Sequence, residues 1–122
     1  MFNTAQTITL TTTELVINSE LTITGTGENL LTVSGNNERR VFVIFGNANV
    51  TLNNLTIANG YVKNSDGGGI FNIGILTINN SIVRNNFAFS EVSDRFGVGG
   101  GIANAGTLTI NNSILNNNNA TN

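Results

Sequence analysis

The chain has 122 residues, a net charge of −2 and only 10% charged side chains, with no His, Cys, Pro or Trp. The missing cysteines exclude a disulfide framework and thiolate metal sites, and the missing histidines remove the commonest general base and transition-metal ligand. No basic stripe is present, so a nucleic-acid partner has no electrostatic footprint.

From the N-terminus, Met1-Phe2-Asn3-Thr4-Ala5-Gln6 lacks the basic start and apolar run of a signal peptide and shows no helical pattern. No apolar stretch approaches the roughly 20 residues that a membrane-spanning helix needs. From there the polarity comes from Asn, Thr, Ser and Gly, with Asn at about one residue in five. Short units alternate apolar and polar, the period of a strand, near residues 7–10, 15–18, 21–24, 30–33, 41–45, 50–53 and 55–58. Asn-Asn, Ser-Gly or Asn-Gly follows and turns the chain.

The second half repeats itself. Gly67-Gly68-Gly69-Ile70-Phe71-Asn72-Ile73-Gly74-Ile75-Leu76-Thr77-Ile78-Asn79-Asn80-Ser81-Ile82 returns as Gly99-Gly100-Gly101-Ile102-Ala103-Asn104-Ala105-Gly106-Thr107-Leu108-Thr109-Ile110-Asn111-Asn112-Ser113-Ile114, with three substitutions. Weaker copies begin at Val50 and Leu21. Repeat starts near 21, 50, 76 and 108 fall in the period range of solenoids. Strands this short cannot stand as hairpins, but stacked coil on coil every backbone group finds a partner. The expectation is one all-β domain over 1–122, a parallel β-helix of about four coils with three short strands per coil. Leu76 and Ile78 should point inward, stacked on Val50 and Leu52 and under Leu108 and Ile110. The pairs Asn53/Asn54, Asn79/Asn80 and Asn111/Asn112 occupy matching turn positions, where stacked amides can form a ladder. The Gly triplets lack the following helix and Lys of a phosphate cradle, so close coil-to-coil approach and positive-φ corners are expected.

The motif Gly-Gly-Gly-Ile-x-Asn-x-Gly-x-Leu-Thr-Ile-Asn-Asn-Ser-Ile resembles the repeats of large bacterial surface and secreted right-handed β-helix proteins of the pectate-lyase-like superfold. Leu30-Leu31-Thr32-Val33-Ser34-Gly35-Asn36-Asn37, Arg40-Val41-Phe42 and Leu55-Thr56-Ile57-Ala58-Asn59-Gly60 resemble their opening coils. The resemblance implies a right-handed coil and an extracellular or cell-surface location in a bacterium. Catalytic members of the superfold are polysaccharide lyases and hydrolases, which implies clustered acids. Here Glu14, Glu20, Glu28, Glu38, Asp66, Glu91 and Asp94 are not paired at two-residue or one-coil spacing, whereas glycoside hydrolysis generally needs two facing carboxylates. No enzyme activity and no cofactor are expected. Asn64, Ser65 and Asp66 offer oxygens to Ca²⁺, but a polar turn is the better reading.

Residues 87–98 form an insertion with Phe87, Phe89, Glu91, Asp94, Arg95 and Phe96, a possible binding loop whose aromatic rings are expected to fold over the coil. Ice binding is not expected, because Thr7/Thr9, Thr22/Thr24 and Thr107/Thr109 do not recur coil after coil. The tail from Phe96 to Asn122 carries no charged side chain and ends without a bulky lid. Open ends of this kind suit a structural protein whose partner is itself, in a head-to-tail fibre or matrix. An adhesin segment holding cell-surface glycans is the alternative.

Overall fold

The computed structural model describes residues 4–27, 30–92 and 98–121. Among them lie sixteen short strands and no helix. The first turn of the chain holds β1 (Gln6–Thr9), β2 (Leu15–Ile17) and β3 (Leu21–Thr24), and the second holds β4 (Leu31–Ser34), β5 (Phe42–Ile44) and β6 (Asn49–Asn53). The third contains β7 (Thr56–Ala58), β8 (Tyr61–Lys63), β9 (Ile70–Asn72) and β10 (Ile75–Asn79). The fourth contains β11 (Ile82–Arg84), β12 (Phe87–Phe89), β13 (Ile102–Asn104) and β14 (Thr107–Asn111), and β15 (Ile114–Asn116) with β16 (Asn119–Thr121) starts a fifth.

Each strand pairs in parallel with its counterpart one turn away. The result is four stacked sheets: A (β1-β4-β7-β11-β15), B (β2-β5-β9-β13), C (β3-β6-β10-β14) and D (β8-β12-β16). In sheet C, Leu21, Val50, Leu76 and Leu108 share one register column, and Ile23, Leu52, Ile78 and Ile110 share another. The apolar members of sheets A, B and C meet in one central cluster, where Val50, Leu52, Leu76 and Ile78 have no exposed surface. Each such side chain contributes about 1.5–3 kcal/mol of burial free energy.

Sheet D corrects the expectation of three strands per coil. From the third turn onward Asn59 and Asn85, at φ 56° in each case, turn the chain into an additional strand. Its inward residues are Val62 and Ala88, at 9% and 0% exposure. In the second turn the same stretch holds Asn36 and Asn37 at φ 62° and 58°, and two successive left-handed residues break the extended run. The Asn residues at the corner between sheets C and A are left-handed too: Asn54, Asn80 and Asn112 have φ of 58°, 50° and 49°. Asn tolerates this region better than other side chains, which accounts for much of its abundance.

The Gly triplets close the approach between turns. A Cβ on Gly68 would lie 2.5 Å from the carbonyl oxygens of both Gly100 and Phe87. Gly67 and Gly99 take φ of 72° and 66°. The amides of Gly67, Gly68 and Gly69 donate to Val98, Gly99 and Gly101 carbonyls, so none is left to cradle an anion.

Candidate functional site

The chemistry of this molecule lies in polar side chains that repeat from turn to turn. On sheet C, Asn111 Nδ2 donates to Asn79 Oδ1 at 2.8 Å, Asn79 Nδ2 to Asn53 Oδ1 at 2.8 Å, and Asn53 Nδ2 to Thr24 Oγ1 at 3.3 Å. All donors point toward the first turn, so the amide dipoles align and polarise one another. Asn54, Asn80 and Asn112 do not form a second rung set. They turn the corner with their backbones, and their side chains make no bond to one another.

Three further ladders sit inside the coil, at Asn and Ser positions for which the sequence suggested no ladder. Asn72 is fully buried; its Nδ2 donates to Asn104 Oδ1 at 2.7 Å and to the Thr107 carbonyl at 3.0 Å, and its Oδ1 accepts from the Gly74 amide at 3.1 Å. Asn86, 1% exposed, accepts from the Gly60 amide at 2.8 Å and donates to Asn118 Oδ1 at 2.9 Å. Ser113 Oγ accepts from the Ser81 amide at 3.1 Å, and Ser81 Oγ from the Leu55 amide at 3.3 Å. Each rung satisfies backbone groups at a corner that no strand pairing reaches. The signal was available: Asn72/Asn104 and Ser81/Ser113 recur at identical places in the two long repeats.

Arg40 is the one buried cation among the described residues, at 8% exposure. Nη1 meets Glu14 Oε2 at 3.0 Å, Nη2 donates to Ser65 Oγ at 2.9 Å and to the Asp66 carbonyl at 2.6 Å, and Nε donates to the Gly67 carbonyl at 3.0 Å. Its guanidinium lies 5.5 Å from the Phe71 ring centroid. One side chain from the second turn thus clips the first and third. The oxygens considered for Ca²⁺ are engaged here: Ser65 and Asp66 serve Arg40, and the Asp66 carboxylate accepts from the Val98 amide at 3.0 Å. Among the described residues there is no cavity and no group of three or more acidic side chains able to hold a metal.

Within the 87–98 segment, Phe87 and Phe89 are not loop residues. They lie on β12, paired with Tyr61 and Lys63 on one side and Asn119 and Thr121 on the other. The period was hidden because the inward residue between them is only Ala88. The insertion itself starts later: residues 90–101 join β12 to β13, where residues 64–69 join β8 to β9. Tyr61 stacks on Phe87 with ring centroids 5.9 Å apart, and Phe87 on Phe89 at 6.3 Å. These half-buried rings run along the outside of sheet D. Glu91 pairs with Lys63 at 2.9 Å, and its hydrogen bond and negative charge hold the exposed ammonium above the usual lysine range. Asp94, Arg95 and Phe96 lie outside the described residues.

On sheet C the Thr-x-Thr pair does not recur, but a single Thr does. Thr22, Thr51, Thr77 and Thr109 fall in a single column on the outer face of sheet C, one per turn. The pair is lost because the neighbouring position changes from Thr24 to Asn53, Asn79 and Asn111. Comparison with protein-family models, with curated proteins and with solved structures gives no match.

Proposed function

We propose that the chain is a right-handed parallel β-helix with a structural, non-enzymatic role, related to bacterial surface and secreted β-helix proteins, and that its copies stack end to end. Right-handedness is the sense adopted by nearly all parallel crossovers. The non-enzymatic reading is supported by the occupations of four of the seven acids: Glu14 holds Arg40, Glu38 holds Arg39, Glu91 holds Lys63 and Asp66 holds a backbone amide. An extracellular location rests on the repeat motif alone.

One observation carries the assembly reading. The first and last turns expose the residues whose counterparts are sealed in the middle. In sheet A, Ile8 is 51% and Leu115 45% exposed, while Ile57 and Val83 between them are at 0%. In sheet C, Leu21 is 40% and Ile110 37% exposed, against 0% for Val50, Leu52, Leu76 and Ile78. The two ends match in kind. Sheet A has five strands and sheets B and C four, so there are two seatings: β15 on β1, an advance of five strands, or β14 on β3 with β13 on β2, an advance of four. Leu115 would meet Ile8 in the first seating; in the other, Leu108 and Ile110 would meet Leu21 and Ile23, and Ile102 would meet Leu15. No charged side chain on β13 to β16 blunts that edge. A contact joining different surfaces builds an open filament unless it closes into a ring. Sedimentation velocity tests this: the native protein should grow with concentration, and Ile110→Arg with Leu115→Arg should remain a folded monomer. A native protein that stays monomeric throughout would contradict it.

A glycan-holding adhesin segment is the second reading, supported by the stripe of Tyr61, Phe87 and Phe89 beside the Lys63–Glu91 pair. Sugar rings stack on such side chains. A glycan array in which Phe87→Ala and Phe89→Ala abolish a signal would favour it, and an array without signal would remove it.

A further inference from the structure

The outer face of sheet C carries a regular polar array that neither end stacking nor the aromatic stripe uses. Thr22, Thr51, Thr77 and Thr109 form one column, and Thr24, Asn53, Asn79 and Asn111 form the next. Thr22, Thr24, Thr109 and Asn111 are exposed, and the four positions between them are half-buried. The strands of this sheet contain no charged and no aromatic residue. Strand pairing runs through all four turns without a slip, so the columns repeat at about 4.8 Å along the axis and lie about 6.6 Å apart along each strand.

We propose that this face binds ice, its ligand being the ordered lattice of water molecules at an ice surface. Three properties select that ligand. First, every position offers both donor and acceptor capacity, as each molecule of a water lattice does. An Asn amide has two N–H groups and two strong lone-pair directions. Asn79 spends one of each on its neighbours, at 2.8 Å in both directions, and keeps one of each for a ligand. Second, the array is fixed before binding. The amides are held by their ladder and the Thr side chains by β-branching, so little side-chain entropy is lost on contact. Third, the alternatives are poorly served. A glycan would find no aromatic ring here. A protein partner would find only Ile75, 46% exposed, as a large apolar anchor. Hexagonal ice presents oxygen rows in two perpendicular directions at spacings comparable with those of the two columns, and the Thr methyl groups between the polar atoms shed liquid water on docking. This site is independent of end-to-end stacking, which would only lengthen the columns.

Ice-affinity partitioning tests it. An ice surface is grown slowly in a dilute solution of the native chain, and the fraction of protein taken into the ice is compared with that of an unrelated globular protein of similar size. The native chain should enter the ice several times more than this control and should slow ice recrystallisation. Thr51→Lys with Thr77→Lys should fall to the control level, and Thr109→Lys, at an exposed position, should weaken uptake while leaving the melting curve unchanged. Arg84→Ala on sheet A should behave as the native chain. Native uptake no higher than the control overturns the proposal. So does native uptake that persists in both Lys variants, and so does adsorption to crystalline cellulose accompanied by control-level ice uptake.

Discussion

The segments Leu76-Thr77-Ile78-Asn79-Asn80-Ser81-Ile82 and Leu108-Thr109-Ile110-Asn111-Asn112-Ser113-Ile114 are identical in sequence and unlike in environment. Leu76 and Ile78 have no exposed surface, whereas Leu108 is half-buried and Ile110 is 37% exposed. Ser81 is buried and Ser113 is not. In a hairpin or a bundle a repeat seals much of its own core. In a stacked coil the next turn does the sealing, so burial belongs to a residue's position in the stack and not to its own repeat. The middle of this molecule therefore carries its stability, and its ends carry unsatisfied surface.

The contrast is broken most directly by charge. Ile78→Asp should unfold the protein, since a carboxylate there would lose several kcal/mol of hydration with no cation in reach. Ile110→Asp, the same change in the same motif, should cost about 1 kcal/mol in dilute solution, where copies are unstacked, and leave a folded chain. Thermal melts followed by circular dichroism distinguish the two. Equal losses at both positions in dilute, unstacked protein would contradict the exposure of the last turn in the single chain.

Arg40 comes next. Arg40→Met keeps much of the packing but strands the Glu14 carboxylate and the Ser65, Asp66 and Gly67 acceptors. The expected loss is about 2–3 kcal/mol, in line with the loss of hydrogen bonds to a charged group. Hydrogen exchange should show protection lost first in residues 6–24, the turn that Arg40 clips. A uniform loss across the chain would argue against the clip.

Much of sheet C was legible from residues alone, because Leu-Thr-Ile-Asn-Asn recurs with little variation and its apolar columns follow a strict period of two. Sheet D was not, because its inward residues Val62, Ala88 and Ala120 are small or flanked by large outward rings, so Phe87-Ala88-Phe89 reads as a loop. The interior ladders were hidden for a different reason. Asn72 and Asn86 break the apolar alternation, and only three-dimensional register shows that their amides replace strand bonds at corners. Arg40 occurs once, so no repeat could announce it. The Thr column was missed because pairs were sought within a strand, while the repetition runs across strands.

Smaller effects sharpen the same comparison. Asn72→Ala removes a fully buried amide with partners in its own turn and the next, and should cost about 1–3 kcal/mol; Asn104→Ala, exposed in the fourth turn, should cost less than about 1 kcal/mol. Urea denaturation of the two variants provides the measurement, and a reversed order would contradict the stacking account. Smallest of all is the Lys63–Glu91 pair. Its contribution is fully present below the lysine pKa of the unfolded chain and is lost as pH rises through the raised value in the folded one, so the window lies in strongly alkaline solution. Glu91→Gln should lower the Lys63 pKa, read by NMR titration, and leave the melting temperature unchanged, because both side chains are exposed.

The central claim, that the exposed ends of one coil stack seat on the ends of another, is tested most directly by electron microscopy of the purified native protein at high concentration. The account predicts unbranched filaments with an axial repeat of about 19–24 Å, from four or five strands per molecule at roughly 4.8 Å each. Dispersed single particles, or filaments whose repeat corresponds to side-by-side packing, would contradict it.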